Sequence, residues 1–124
     1  MKTILLSINP EHVDNIFNGT KIYEYRKVRC RKNVSKIVIY STSPVMKVVG
    51  EARVDEILEK PPEDLWNETN THSGIDKKFF DRYYEGKGKG VAYKLSEVER
   101  YSETKELSDY GVVSAPQSFV YLDC

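Results

Sequence analysis

The 124-residue sequence predicts an α+β fold, a curved or closed mixed sheet with short helices inserted between its strands. Three observations lead there. Five or six short segments carry strand-type apolar patterning, two stretches carry helix-type stripes, and the regular strand–helix alternation of a doubly wound fold is absent. No internal repeat, low-complexity segment or composition break divides the chain, so one domain over residues 1–124 is expected, large enough for a core without metal or disulfide support.

Ile4-Leu5-Leu6-Ser7-Ile8 is the opening strand. Pro10 to Asn18 follows as a helix, with Pro10 suited to its first turn, Val13, Ile16 and Phe17 on one face, and Gly19 at its stop. A second strand starts near Ile22 and would align Ile22, Glu24, Arg26 and Val28 on one face, opposite Tyr23 and Tyr25. Ile37 to Tyr40 is an apolar run suited to a strand buried on both sides. From Met46 to Leu58, apolar Met46, Val48, Gly50, Ala52, Val54 and Leu58 are interleaved with charged residues, giving a long half-buried strand that Gly50 can bend or bulge. Pro61-Pro62 breaks it and opens a helical, irregular middle anchored by Leu65 and Trp66. Asp76 to Glu85 is a helix whose stripe is Phe79, Phe80, Tyr83 and Tyr84, ended by Gly86, Gly88 and Gly90. Val91, Tyr93 and Leu95 resume strand alternation, and Phe119 to Leu122 is the last strand.

The segment Gly19-Thr20-Lys21-Ile22-Tyr23-Glu24-Tyr25-Arg26 is the chemically richest. Charged residues sharing a strand face with apolar ones need partners or a ligand, which marks a half-buried polar site. An ion-pair network fixing the strand is one reading. The functional reading has Arg26 and Lys21 bind an anionic group, or Glu24 accept hydrogen bonds from a base edge. Lys21 beside Arg26 and partly desolvated has a lowered pKa, which suits acid–base work with Glu24.

Gly19, Lys21, Glu24 and Arg26, following a strand and a helix, resemble the Gly-x-Lys-x-x-Glu-x-Arg signature of the ASCH domain family, a branch of the PUA-like superfamily. The resemblance implies a small, mainly antiparallel PUA-like β-barrel with a cleft between the barrel mouth and a helix. Some members look like amidohydrolases of acylated cytidine, using the motif lysine and a threonine three residues later. Glu24 stands here where that threonine would fall, so the nucleophile position holds no hydroxyl. Other members have been proposed as ribonucleases, which a Lys/Glu/Arg cluster could serve by stabilising charge. Ser114 to Phe119 resembles the proline-containing segment before the last strand of related domains, placing Gln117 and Ser118 near the same cleft.

Other features widen the candidate site or limit it. Tyr40-Ser41-Thr42-Ser43-Pro44 leaves a buried strand for a hydroxyl-rich loop that serves either binding or turn chemistry. Tyr40 and Tyr84, among nine tyrosines, are candidates for base stacking or for the core. Net charge is zero, yet residues 21–47 are basic and residues 51–68 acidic, consistent with one basic and one acidic surface. His12 and His72 lack metal-ligand spacing and read as surface histidines, so no metal or cofactor is expected. Gly86-Lys87-Gly88-Lys89-Gly90 follows a helix and lacks a P-loop ending, leaving a flexible basic connection. Cys30 and Cys124 form no disulfide or zinc pattern and are expected as free thiols. With no signal peptide or membrane span visible, a cytoplasmic protein is expected. The expected function is binding of RNA or a nucleotide-like ligand by Lys21, Glu24, Arg26, Tyr40, Ser41, Thr42, Ser43, Gln117 and Ser118. The alternatives are a hydrolase of modified nucleosides or RNA using Lys21 and Glu24, and a protein-interaction module.

Overall fold

A computed structural model describes residues 2–30 and 33–122. Arg31, Lys32 and Cys124 therefore lie outside the described residues. The elements run β1 (Lys2–Ile8), α1 (Pro10–Phe17), β2 (Tyr23–Arg26), β3 (Val34–Ser41), β4 (Lys47–Lys60), α2 (Pro62–Thr69), α3 (Lys77–Tyr83), β5 (Gly90–Lys105) and β6 (Phe119–Leu122). Single 3₁₀ turns occupy Asn70–His72 and Leu107–Tyr110. The strands form one six-stranded sheet ordered β2-β5-β4-β3-β1-β6. β1 and β3 are parallel, and the other neighbours are antiparallel. The ladder does not close, because β2 and β6 remain edges, so the expected barrel is an open sheet at the level of backbone pairing. A side chain spans the gap: Arg26 on β2 donates to the carbonyl of Ser7 on β1 at 2.8 Å and to Ser118 Oγ, just before β6, at 3.4 Å.

Patterning accounts for the layers. β1 and β3 are buried on both faces as their apolar runs require. Ile4, Leu6, Ile8, Ile37 and Ile39 join the main core beneath Val13 and Ile16 of α1. Leu5, Val38 and Tyr40 point the other way into a cluster covered by Tyr101, Leu107 and Tyr110. A third cluster, Tyr23, Tyr25, Leu58, Leu65, Phe80, Tyr84 and Ala92, seats α2 and α3 on the β2/β5 end. Asn9 caps α1 through its side-chain oxygen, which accepts from the Glu11 amide at 2.9 Å, and Asp76 caps α3 by accepting from Phe79 at 2.8 Å.

Three expectations change in the fold. β2 stops at Arg26, so Val28 leaves the strand face and is 71% exposed. β4 does not keep one alternation: the β3 register shifts between Ile39 and Tyr40, where Ile39 pairs Gly50 and Tyr40 pairs Val48. The extra residue sends Val48 to the outer cluster and leaves Val49, Ala52 and Val54 in the main core. The basic and acidic blocks also touch, because antiparallel pairing of β3 with β4 brings Lys36 near Glu51. Lys36 pairs with Glu51 at 3.0 Å, Arg29 with Glu59 at 3.7 Å, and Lys47 with Glu106. No helix among the described residues is long and apolar enough to cross a membrane.

Candidate functional site: a cleft between an edge strand and two helices

Local structure delivers Lys21 to the site. Gly19, at φ +88°, turns the chain out of α1, and the Lys21 amide donates to Asn15 O at 3.0 Å. An isolated antiparallel bridge then ties Lys21 to Ser73, with the Ile22 amide donating to His72 O at 3.0 Å. Gly74 packs onto the lysine stem, so closely that a β-carbon there would lie 2.4 Å from Lys21 Cβ. The side chain is 2% exposed. Its ammonium donates to Ser73 O at 2.9 Å, lies 4.0 Å from Glu24 Oε1, and sits 4.7 Å from the centre of the Tyr25 ring. Burial lowers the Lys21 pKa below its ordinary value; the Glu24 carboxylate opposes that shift and the Arg26 guanidinium adds to it.

Glu24 and Arg26 complete the charged group. Glu24 lies opposite Tyr93 of β5 on the inward face, and its Oε2 accepts from Arg26 Nη2 at 2.9 Å. The same Nη2 reaches Ser7 O, while Arg26 Nε is buried without a hydrogen bond among the described residues. The guanidinium is thus held chiefly by Glu24 and by β1, and it fixes the carboxylate in place.

These side chains line a cleft of about 160 Å³. Ser7 and Ile8 from β1 and Asn9 and His12 from the start of α1 form one side; Lys21, Glu24, Tyr25 and Arg26 form the floor; Ile75, Phe79 and Tyr83 close the other side. Tyr25 reaches the cleft although it alternates with Glu24 and Arg26, because β2 is an edge strand and the opening runs along its free side. Its hydroxyl is hydrogen-bonded to Thr69 Oγ1 at 2.7 Å, and burial pushes its pKa up to about 12. Tyr83 donates to Tyr25 O at 3.3 Å. His12, read from sequence as a surface histidine, borders the cleft with its ring edge-on to Phe79 at 5.5 Å. Its Nδ1 is buried and unpartnered among the described residues, and burial, followed by the Lys21 charge, lowers its pKa. An imidazolium carries a proton on both nitrogens, so the missing acceptor also favours the neutral ring.

The structure therefore gathers Lys21, Glu24 and Arg26, with Ser118 against Arg26. It does not bring the other sequence candidates to the cleft. Tyr40 is packed in the outer cluster. Ser41 is buried at the end of β3, and Thr42 and Ser43 belong to a turn in which the Val45 amide donates to Thr42 O. Gln117 is exposed and does not line the cleft, although its neighbours Pro116 and Ser118 accept hydrogen bonds from Ser7. Tyr84 is a core residue that donates to Arg26 O at 2.9 Å. Cys30 is buried, and the Tyr93 hydroxyl donates to its Sγ at 3.2 Å. His12, Phe79 and Tyr83 were not among the candidates. For the last two the sequence held a signal: a four-aromatic stripe on a short helix is too wide to bury whole, and one of its two i, i+4 pairs had to face outward. Among the described residues no group of three or more His, Cys, Asp and Glu is placed to hold a metal.

Strand order, inserted helices and a basic–acidic cluster on an edge strand define an ASCH-type domain. Crystal structures of an ASCH protein from Zymomonas mobilis superpose with a TM-score of 0.89, at 26% identity over 98% of this chain and 88% of that one, and at 25% over 99% and 91% for a point variant. The chain is an ASCH domain and belongs to the family described as "Domain of unknown function (DUF365)", whose model matches residues 1–117. A protein from Zymomonas mobilis called "ASCH domain-containing ribonuclease" is 28% identical over 76% of this chain and 64% of its own length. Large ribosomal subunit protein uL22 of Ureaplasma parvum serovar 3 is 32% identical over 98% of this chain, which spans 39% of that relative. ATP synthase subunit alpha of the same organism is 30% identical over 98% of this chain, which spans 15% of that protein.

Proposed function

We propose that this domain acts on RNA, seating one nucleotide unit in the cleft, and that Lys21 and Glu24 there promote phosphodiester cleavage. The carrying observation is the Lys21 amine, buried in the cleft wall between Ser73 O and Glu24 with its pKa lowered by that burial. An amine easier to deprotonate can take the proton of an attacking hydroxyl as its oxygen bonds to phosphorus and the bond from phosphorus to the leaving oxygen breaks; Glu24 at 4.0 Å stabilises the ammonium that forms, which then returns the proton to the departing oxygen. Arg26 is the positioning residue, because it holds Glu24 by one hydrogen bond and β1 by another. The ribonuclease name of the Zymomonas relative supports RNA as the substrate, and the rims of Phe79 and Tyr83 supply faces for a base.

The test is to incubate wild type and a Lys21→Ala/Glu24→Ala variant with short RNAs and acylated nucleosides, following products by mass spectrometry and retained ligand by gel filtration. Shortened RNA formed by wild type alone is the expected result. Deacylated nucleoside instead would make the domain an amidohydrolase using the same lysine. RNA retained without product would overturn the cleavage and leave a binding domain, and the absence of both product and retained ligand would overturn the proposal as a whole.

A further inference from the structure

The cleft continues beyond Phe79. A second cavity of about 550 Å³ adjoins it, and His12, Ile75 and Phe79 line both, forming the ridge between them. Phe79 is 45% exposed while its neighbour Phe80 is 1% exposed. Phe80 and Tyr84 already anchor this helix in the core, so packing does not require a phenylalanine at position 79. The His12 ring lies 5.5 Å away at 75° between planes, a contact that helps fix the orientation of the phenyl ring. The second cavity is walled by Thr20, Asn70, Thr71 and Ser73 together with Glu11 and Asp76, and no Lys or Arg appears among its described lining. Hydroxyls, amides and carboxylates of this kind suit sugar hydroxyls and the amino groups of base edges, and disfavour phosphate.

We propose that two consecutive unpaired nucleotides straddle the ridge, one in the cleft and its neighbour in the adjoining cavity, with a base stacked on Phe79. The inference rests on RNA being the ligand of the cleft. The nucleotides must be unpaired, because a base inside a duplex has both faces covered and its pairing edge occupied. Stacking on an aromatic face tolerates any base, so Phe79 adds affinity without sequence choice.

Fluorescence anisotropy would compare a mononucleotide, a dinucleotide, a single-stranded RNA of mixed sequence and a fully paired RNA hairpin, with RNA integrity checked on gels. The proteins would be wild type, Phe79→Leu, which keeps apolar bulk without a ring, and Phe79→Tyr, which restores the ring. Expected are a preference for single strand over hairpin, tighter binding of the dinucleotide than of the mononucleotide, and a loss of about ten-fold in Phe79→Leu that Phe79→Tyr recovers. Unchanged affinity in Phe79→Leu, equal binding of the hairpin, or no gain from the second nucleotide would overturn this inference and leave RNA as the ligand. Wild type that binds none of these RNAs would overturn both.

Discussion

Lys21 concentrates the physical tension of the molecule. Its charge is taken out of water and met by one carbonyl, a carboxylate at 4.0 Å and an aromatic face. With its folded pKa below the ordinary value of 10.5, the unfolded chain binds more protons between the two values, so stability rises with pH across that window. Below the folded value the cost is constant and full. Lys21→Met keeps the apolar stem and removes the charge. Urea unfolding of both proteins at a series of pH values up to 10.5 is expected to show wild type gaining stability relative to the variant as pH rises. A difference that stays flat with pH would mean that the amine is not desolvated. The cluster was legible in the sequence because Lys21, Glu24 and Arg26 lie within six positions of one another, inside the reach of strand geometry. His12 joins them from the helix just before the motif and Phe79 and Tyr83 from a helix about fifty residues on; the aromatic stripe was visible in the sequence, but its meeting with the charged group was not.

At the scale of elements, β4 is the strand on which the rest are registered. Gly50 sits at its bulge, where a β-carbon would lie 2.3 Å from Glu99 O on β5 and 2.6 Å from Phe17 Cζ on α1. Gly50→Ala must push apart the β4/β5 ladder or displace α1. The expected loss is about 1–3 kcal/mol in a urea melt, the usual cost of overpacking. An unchanged midpoint would show that Phe17 and β5 yield freely. The bend at Gly50 was readable from an isolated glycine in a strand pattern. The change of face at Val48 was not, because a bulge inserts one residue without altering composition, and every side chain before it then counts from the wrong side. Edge position was hidden for a related reason. Nothing in Tyr23 to Arg26 says which neighbour β2 lacks, and that missing neighbour is what opens the cleft.

Across the whole molecule, buried tyrosines set the alkaline limit. Burial raises the pKa of Tyr25 to about 12 and carries those of Tyr84 and Tyr93 higher still. An unfolded chain releases these phenolic protons from the ordinary value of 10, whereas the folded chain keeps them. Their contribution is therefore complete below that value and is lost as pH climbs through the folded values. Lys21 works in the opposite direction as a single group. The unfolding midpoint in urea is expected to fall steadily from pH 10 to about 12. A midpoint that stays flat across that range would contradict the burial of these phenols.

Arg26 reaches from β2 to Ser7 and to Ser118, joining two distant stretches of chain at one guanidinium. During synthesis, Lys21, Glu24 and Arg26 leave the ribosome before most of the domain, yet the hydroxyl at Ser118 follows only when nearly all of the domain has been made. A nascent chain holds these three side chains well before it can hold their complete surroundings. The finished cleft thus becomes available late, in step with completion of the fold, and a chain stopped short of the last strand carries the motif without the clasp.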